Sequence, residues 1–246
     1  MEQNEAMNSV DADRISTQIG PLLEQRPEYA QRCVTKMTFT VHDKERRLGQ
    51  NVAKLLCNLL HRSQYLFDGS IHALRGAQVL SAYLTVRAHM ETTGCIQFVM
   101  LQLCKYYDNT LDAAAINNIV FHQFLGGRTF PDRGKHPDAP DAVQILKCVD
   151  SVDKAVELKQ LNPKINFREI YDMLSEYCHP NFLGHSVGVD TDGSGNVTYT
   201  ESQSFDNVDL TNVCLGLAAS CFVLFSAYDH AMSMLSEHEV MPEVHK

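Results

Sequence analysis

The stretch from Asp209 to Glu237 constrains this chain more than any other. Val213, Leu215, Leu217, Cys221, Phe222, Leu224, Phe225 and Tyr228 fall on every side of a helical repeat, so a helix built from it is apolar nearly all round. A surface helix hides one stripe and wets the rest. A helix that is apolar on all sides must be enclosed, either at the centre of a bundle or in an interface between copies. With 246 residues, the chain can enclose it inside one large domain or two small ones.

The other segments supply the walls. From Asp43 to Phe67, Leu48, Val52, Leu55, Leu56, Leu59 and Leu60 recur at three- and four-residue steps, which predicts a helix. Asp68-Gly69 is expected to punctuate it. A second long helix is expected from Ile71 to Tyr107, with Leu80, Leu84, Arg87, Glu91, Gly94 and Phe98 along one stripe. A third covers Leu111 to Leu125 through Ala114, Ile116, Ile119, Val120 and Phe124. Asp138 to Lys159 reads as a further helix, with Ala142, Ile145, Leu146, Val149 and Val152 on one face. Residues 1–12 read as a loose tail, followed by a short helix from Asp13 to Gln25 broken near Gly20-Pro21. The expectation is a mainly α protein: one helical bundle of five to seven helices over residues 13–246, with a small β-hairpin inserted near 186–200.

Composition narrows the function. Hydrophobic residues make up 44% and charged residues 21%, as in ordinary globular domains. The longest apolar runs carry Arg, His or Asp, so no membrane span is expected. The N-terminus, MEQNEAMNSVDADR, is polar and acidic, unlike a secretory signal. The net charge of −9 argues against indiscriminate attachment to nucleic acid backbones or anionic membranes. The 8 cysteines are scattered without a CxxC, and Cys57, Cys95, Cys104, Cys148, Cys214 and Cys221 sit in helical patterns as small apolar residues. That usage suits a reducing compartment, and a cytoplasmic location is the expectation. No cofactor is expected.

Chemistry-bearing residues are densest in FREIYDMLSEYCHPNFLG, residues 167–184. Arg168, Asp172, Ser175 and His179 share one flank of the helix, while Phe167, Ile170, Tyr171, Leu174 and Cys178 form the adjacent apolar stripe. Pro180 should end the helix at His179, where the negative end of the helix dipole favours an imidazolium. Asn181 and Gly184 can make the following turn. One reading has His179 capping its own helix and Ser175 bonding a nearby carbonyl; the other gives them to a site. Arg87 and Glu91 put charge on a face expected to be buried, which is costly unless they pair with each other or reach a partner across the bundle. Gly126-Gly127-Arg128 and the following TFPDRGKHPDAP form a basic loop that could hold an anion or simply connect two helices. Its glycines and lysine lack P-loop spacing.

Residues 190–201, DTDGSGNVTYTE, match a calcium-binding loop in spacing, through Asp190, Asp192, Ser194, Asn196 and Glu201. The flanks alternate as strands do and no helix leads in, so the stretch is read as a hairpin with calcium at its tip as the alternative.

Together, Arg87-x-x-x-Glu91, Gly127-Arg128 and the YDxLSExxHPN run from Tyr171 to Asn181 resemble a group of uncharacterised bacterial helical proteins. The likeness runs from about Leu74 to the C-terminus. More distantly, the layout resembles HEPN-type helical bundles, several of which act in antiphage and stress responses as metal-independent ribonucleases. Their signature sets an Arg shortly before a His on one helix; here Arg168 and His179 share a flank but stand three turns apart. From these residues a site is expected to gather His179, Arg87, Glu91, Arg128 and Ser175, with Asn181, Asp172 and Tyr171 contacting a small ligand or RNA. The expected role is ligand or partner binding of a stress- or phage-defence type. The alternative is phosphodiester chemistry, with His179 as acid or base and an arginine steadying the anion. A third reading is assembly into homo-oligomers through the C-terminal helix.

Overall fold

The computed structural model describes residues 2–41, 47–126, 143–155, 164–180, 182–199, 205 and 207–246. The fold is mainly α, as expected. In chain order the helices are α1 (Glu2–Leu23), α2 (Arg26–Arg32), α3 (Leu48–Arg75), α4 (Val79–Tyr107), α5 (Ala113–Leu125), α6 (Ile145–Val152), α7 (Phe167–Cys178), α8 (Phe182–Ser186) and α9 (Asn207–His238). Among the described residues four short strands accompany them: β1 (Lys36–Thr38), β2 (Val189–Thr191), β3 (Val197–Tyr199) and β4 (Glu243–His245).

The all-round apolar helix is largely enclosed, although Phe222 is 40% exposed. Between Asp209 and Asp229 it carries no charged residue, and Val213, Leu217, Cys221, Leu224 and Leu235 are buried. By length and composition alone that uncharged run makes α9 long and apolar enough to cross a membrane, so the expectation that the longest apolar runs carry charge does not hold; 67% of its apolar window is buried within the bundle. It packs chiefly against α4, which α3, α6 and α7 also contact. A helix with neighbours on so many sides buries more than one stripe. Hence Val79, Ala82, Tyr83, Val86 and Met90 are buried, while Leu80 and Leu84, expected inside, are 37% and 45% exposed. Farther along the expected stripe, α4 meets α6 at Gly94. A Cβ built there would lie 2.7 Å from the Cys148 carbonyl carbon, so only glycine lets the two backbones approach.

Several boundaries differ from expectation. Helix α1 begins at Glu2, so residues 2–12 continue it rather than forming a tail; no glycine or proline interrupts the chain before Gly20. Pro21 falls in the last turn, where few helical bonds remain to lose. Asp68-Gly69 does not stop α3, because the buried series Phe67, Ile71 and Leu74 carries the apolar spacing through it. The helix ends instead at Gly76. The Ala77 N–H donates to the Leu74 carbonyl at 3.1 Å and the Gln78 N–H to the Ala73 carbonyl at 2.8 Å, with Ala77 left-handed at φ 48°. This terminating motif splits the long helix expected from Ile71 to Tyr107.

The hairpin forms as expected, with Val189 opposite Tyr199 and Thr191 opposite Val197 around a turn in which Gly195 has φ 84°. The other strand pair, β1 with β4, brings Lys36 opposite His245 and ties the C-terminus to the segment before α3. Glu243-Val244-His245 has no extended alternating flanks, so the sequence does not announce this pair.

Candidate functional site

The chemistry-dense helix is well anchored. Asn166 caps α7 by accepting from the Glu169 N–H at 3.1 Å, and Asp153 accepts from the N–H groups of Phe167 and Arg168 at 2.8 and 3.0 Å. Phe167, Tyr171 and Leu174 point inward and are buried. The polar flank divides among separate tasks. Arg168 pairs with Asp172 at 2.9 Å and Asp150 at 2.6 Å, bonds that hold its guanidinium pKa above the ordinary value. Ser175 Oγ donates to the Tyr171 carbonyl at 2.8 Å. The His179 N–H closes the helix on the Ser175 carbonyl at 3.2 Å, and its side chain is exposed with no hydrogen bond or ion pair among the described residues. Arg128, Asn181 and Glu201, also expected to contribute, lie outside the described residues.

Three expected residues do meet. Tyr171 O–H donates to Glu91 Oε1 at 2.9 Å, and Arg87 Nη2 lies 3.2 Å from both the Tyr171 oxygen and Glu91 Oε1. The guanidinium carbon stands 5.3 Å from the centre of the Tyr171 ring. Burial opposes the charge on Arg87, but the bond to Tyr171 and the fields of Tyr171 and Glu91 outweigh it and raise the pKa. This seam joins α4 to α7. Because Glu91 already neutralises Arg87, an incoming anion would have to displace it.

The hairpin tip uses its best calcium ligand internally. Asp192 accepts from the N–H groups of Ser194 and Asn196, both at 2.9 Å, and from the Asn196 amide at 2.8 Å. Those bonds, led by the Asn196 side chain, hold the Asp192 carboxyl below its usual range. Among the described residues, no group of three His, Cys, Asp or Glu side chains could hold a metal ion.

Two polar sets escaped the sequence reading. The first lies in the core. Tyr29 Oη meets His89 Nε2 at 2.6 Å, His89 Nδ1 meets Ser220 Oγ at 2.7 Å, and Ser220 Oγ meets Thr93 Oγ1 at 2.6 Å. All four residues are fully buried. Burial pushes the His89 pKa down to about 3 and the tyrosine's up, so both are neutral. The available signal was His89 and Thr93 four apart beside the buried Val86 and Met90.

The second set is open. A cleft of about 690 Å³ lies where the chain after β1 and the start of α3 face α5. Arg47, Asn51 and Lys54 line it from α3 and its approach, Asn117, Asn118, Phe121 and Phe124 from α5, and Phe39 from the connection. Asp112 fixes the start of α5 by accepting from the Ala115 N–H at 2.7 Å. Arg47 and Lys54 lie 5.3 and 5.9 Å from the centre of the Phe39 ring, and Lys54 lies 5.5 Å from that of Phe124. A smaller hollow of about 280 Å³ shares Phe39 and Lys54 and extends to Asn58 and His61. No carboxylate lines either hollow among the described residues. The signal was the spacing of Arg47, Asn51, Lys54 and Asn58 by four, three and four residues, a polar face along an otherwise apolar helix.

No protein-family model matches this sequence, and no curated protein or solved structure matches it either.

Proposed function

We propose that this protein is a ligand-binding helical bundle and that the α3–α5 cleft is its binding site. The observation that carries the reading is the pairing of two cations and three amides with exposed aromatic surface in an open hollow, within a chain of net charge −9. Two cations in one wall, with no carboxylate beside them among the described lining residues, gain from an acidic occupant. The volume falls in the range of small-molecule sites. Binding is favoured over turnover because, among the described residues, the cleft's side chains offer no nucleophile paired with a base. Of the histidines weighed above, His89 is sealed in the core, and His179 stands exposed at a helix end.

The test is thermal unfolding against a panel of chemically distinct metabolites and short single-stranded RNA, with an Ala114→Trp variant that fills the cleft from its exposed rim. A ligand at a hundredfold excess over its Kd adds about 2.7 kcal/mol of stability, a shift of several degrees. The expected result is a shift in the native protein that Ala114→Trp abolishes. No shift with any member, or a shift that the filled cleft leaves unchanged, would sink the proposal.

A further inference from the structure

We propose that the cleft takes a mononucleotide, a planar nitrogen heterocycle carrying a single phosphate; this rests on the reading of the cleft as a binding site. Three features of the wall call for three parts of one molecule. The first is charge. Arg47, just before α3, and Lys54 within it lie two turns apart on one face, and no carboxylate lines the cleft among the described residues. A phosphate oxygen is the acceptor that suits a guanidinium best.

The second feature is the ring surface. Phe121 is 45% exposed, although an isolated phenylalanine of that size gains from cover. A flat heterocycle covers it by stacking. The third is the amides. Asn51, Asn117 and Asn118 each offer both a donor and an acceptor, the combination that the edge of a nucleobase presents in return. A sugar phosphate would leave the phenylalanine uncovered, and a neutral aromatic would leave both cations unanswered.

Size separates a monomer from a polymer. The cleft of about 690 Å³ matches one small ligand. An extended RNA or DNA strand would run out over a molecule of net charge −9, where each further phosphate is repelled.

Isothermal titration at fixed ionic strength decides the matter, using the four ribonucleoside monophosphates, the matching nucleosides, inorganic phosphate and a single-stranded oligonucleotide. At least one monophosphate should bind, with its nucleoside and inorganic phosphate each at least about tenfold weaker. Lys54→Gln and Arg47→Gln should each lower that affinity by about tenfold, with far-ultraviolet circular dichroism confirming the fold. Binding of a nucleoside as tightly as its monophosphate would overturn the assignment, and so would failure of all four monophosphates. An oligonucleotide that outcompetes every mononucleotide would overturn it in favour of RNA. If another class of metabolite shifts the unfolding temperature and Ala114→Trp abolishes that shift, the cleft stands as a binding site while the nucleotide assignment falls.

Discussion

His89 and Arg47 are both polar side chains set among apolar neighbours, yet they end in opposite states. The imidazole uses both nitrogens, on Tyr29 and Ser220, and the chain ends on Thr93 without reaching solvent. The guanidinium stands at the wall of an open cleft that no carboxylate lines among the described residues. Polarity that is satisfied from within belongs to the fold. A cation beside an open space with no countercharge in the wall is free for something the fold does not contain. The Arg87–Glu91–Tyr171 seam lies between these cases, since its charges answer one another but it remains about a quarter exposed.

The comparison predicts large stability effects in the core. His89→Leu keeps much of the volume but takes from the Tyr29 hydroxyl its short bond in a dry interior and leaves the Ser220 hydroxyl with Thr93 alone. It should cost about 3 to 4 kcal/mol in urea unfolding. Adding Tyr29→Phe should return part of that loss, because removing both partners of a buried bond costs less than removing one. A single variant as stable as the native protein would show that the chain is not a bonded unit.

Acid should reach the same residue. The folded pKa of His89 is about 3, below the value near 6.5 of an unfolded chain. A depressed folded pKa means that this contribution is fully present above about pH 6.5 and is lost as pH falls toward 3. From pH 7 to pH 5 the loss is about 2 kcal/mol. Its neighbours Tyr29 and Cys221 stay neutral throughout, because burial pushes both upward, the thiol to about 12. Comparing urea midpoints at the two pH values isolates the effect, since His89→Gln should remove most of the drop. An equal drop in that variant would place the acid sensitivity elsewhere.

The seam should respond less. Tyr171→Phe deletes one hydroxyl and leaves Arg87 and Glu91 in direct contact at 3.2 Å. A loss of about 1 kcal/mol is expected in the same assay. A loss as large as that of His89→Leu would move the seam into the class of the core.

These three regions differ in how plainly the sequence announces them. Helices α3, α4, α5 and α9 are legible because apolar residues at three- and four-residue steps imply a buried face whatever packs on it. Arg87 and Glu91 stood out as charges on such a face, and Tyr171 as an apolar-stripe residue on another helix; that the two would meet depends on how α7 crosses α4. The Tyr29–His89–Ser220 chain spans three helices far apart in the sequence, and a single His, Ser or Tyr in an apolar stretch names no partner. The end of α3 was misplaced because Ala77, not glycine, takes the left-handed position, while the glycine at 69 lies inside the helix. The cleft was hidden for the opposite reason. Arg47, Asn51, Lys54 and Asn58 look like the solvated face of an amphipathic helix, and only the placement of α5 and Phe39 gives that face a wall.

The smallest stability effect is the sharpest test of the contrast. Lys54 is exposed, so Lys54→Gln removes a solvated charge and a weak attraction to Phe39 and Phe124. Arg47→Gln removes a half-buried charge and its attraction to the Phe39 ring. Each change should alter unfolding free energy by no more than about 0.5 kcal/mol without ligand, within the range of ordinary surface substitutions. The same variants should lose most of the ligand-induced rise in melting temperature. A residue that matters little to the empty fold and much to the occupied one is held for its ligand. If Arg47→Gln instead costs as much as Tyr171→Phe, the guanidinium is a structural tie between α3 and the chain before it, and the contrast with His89 disappears.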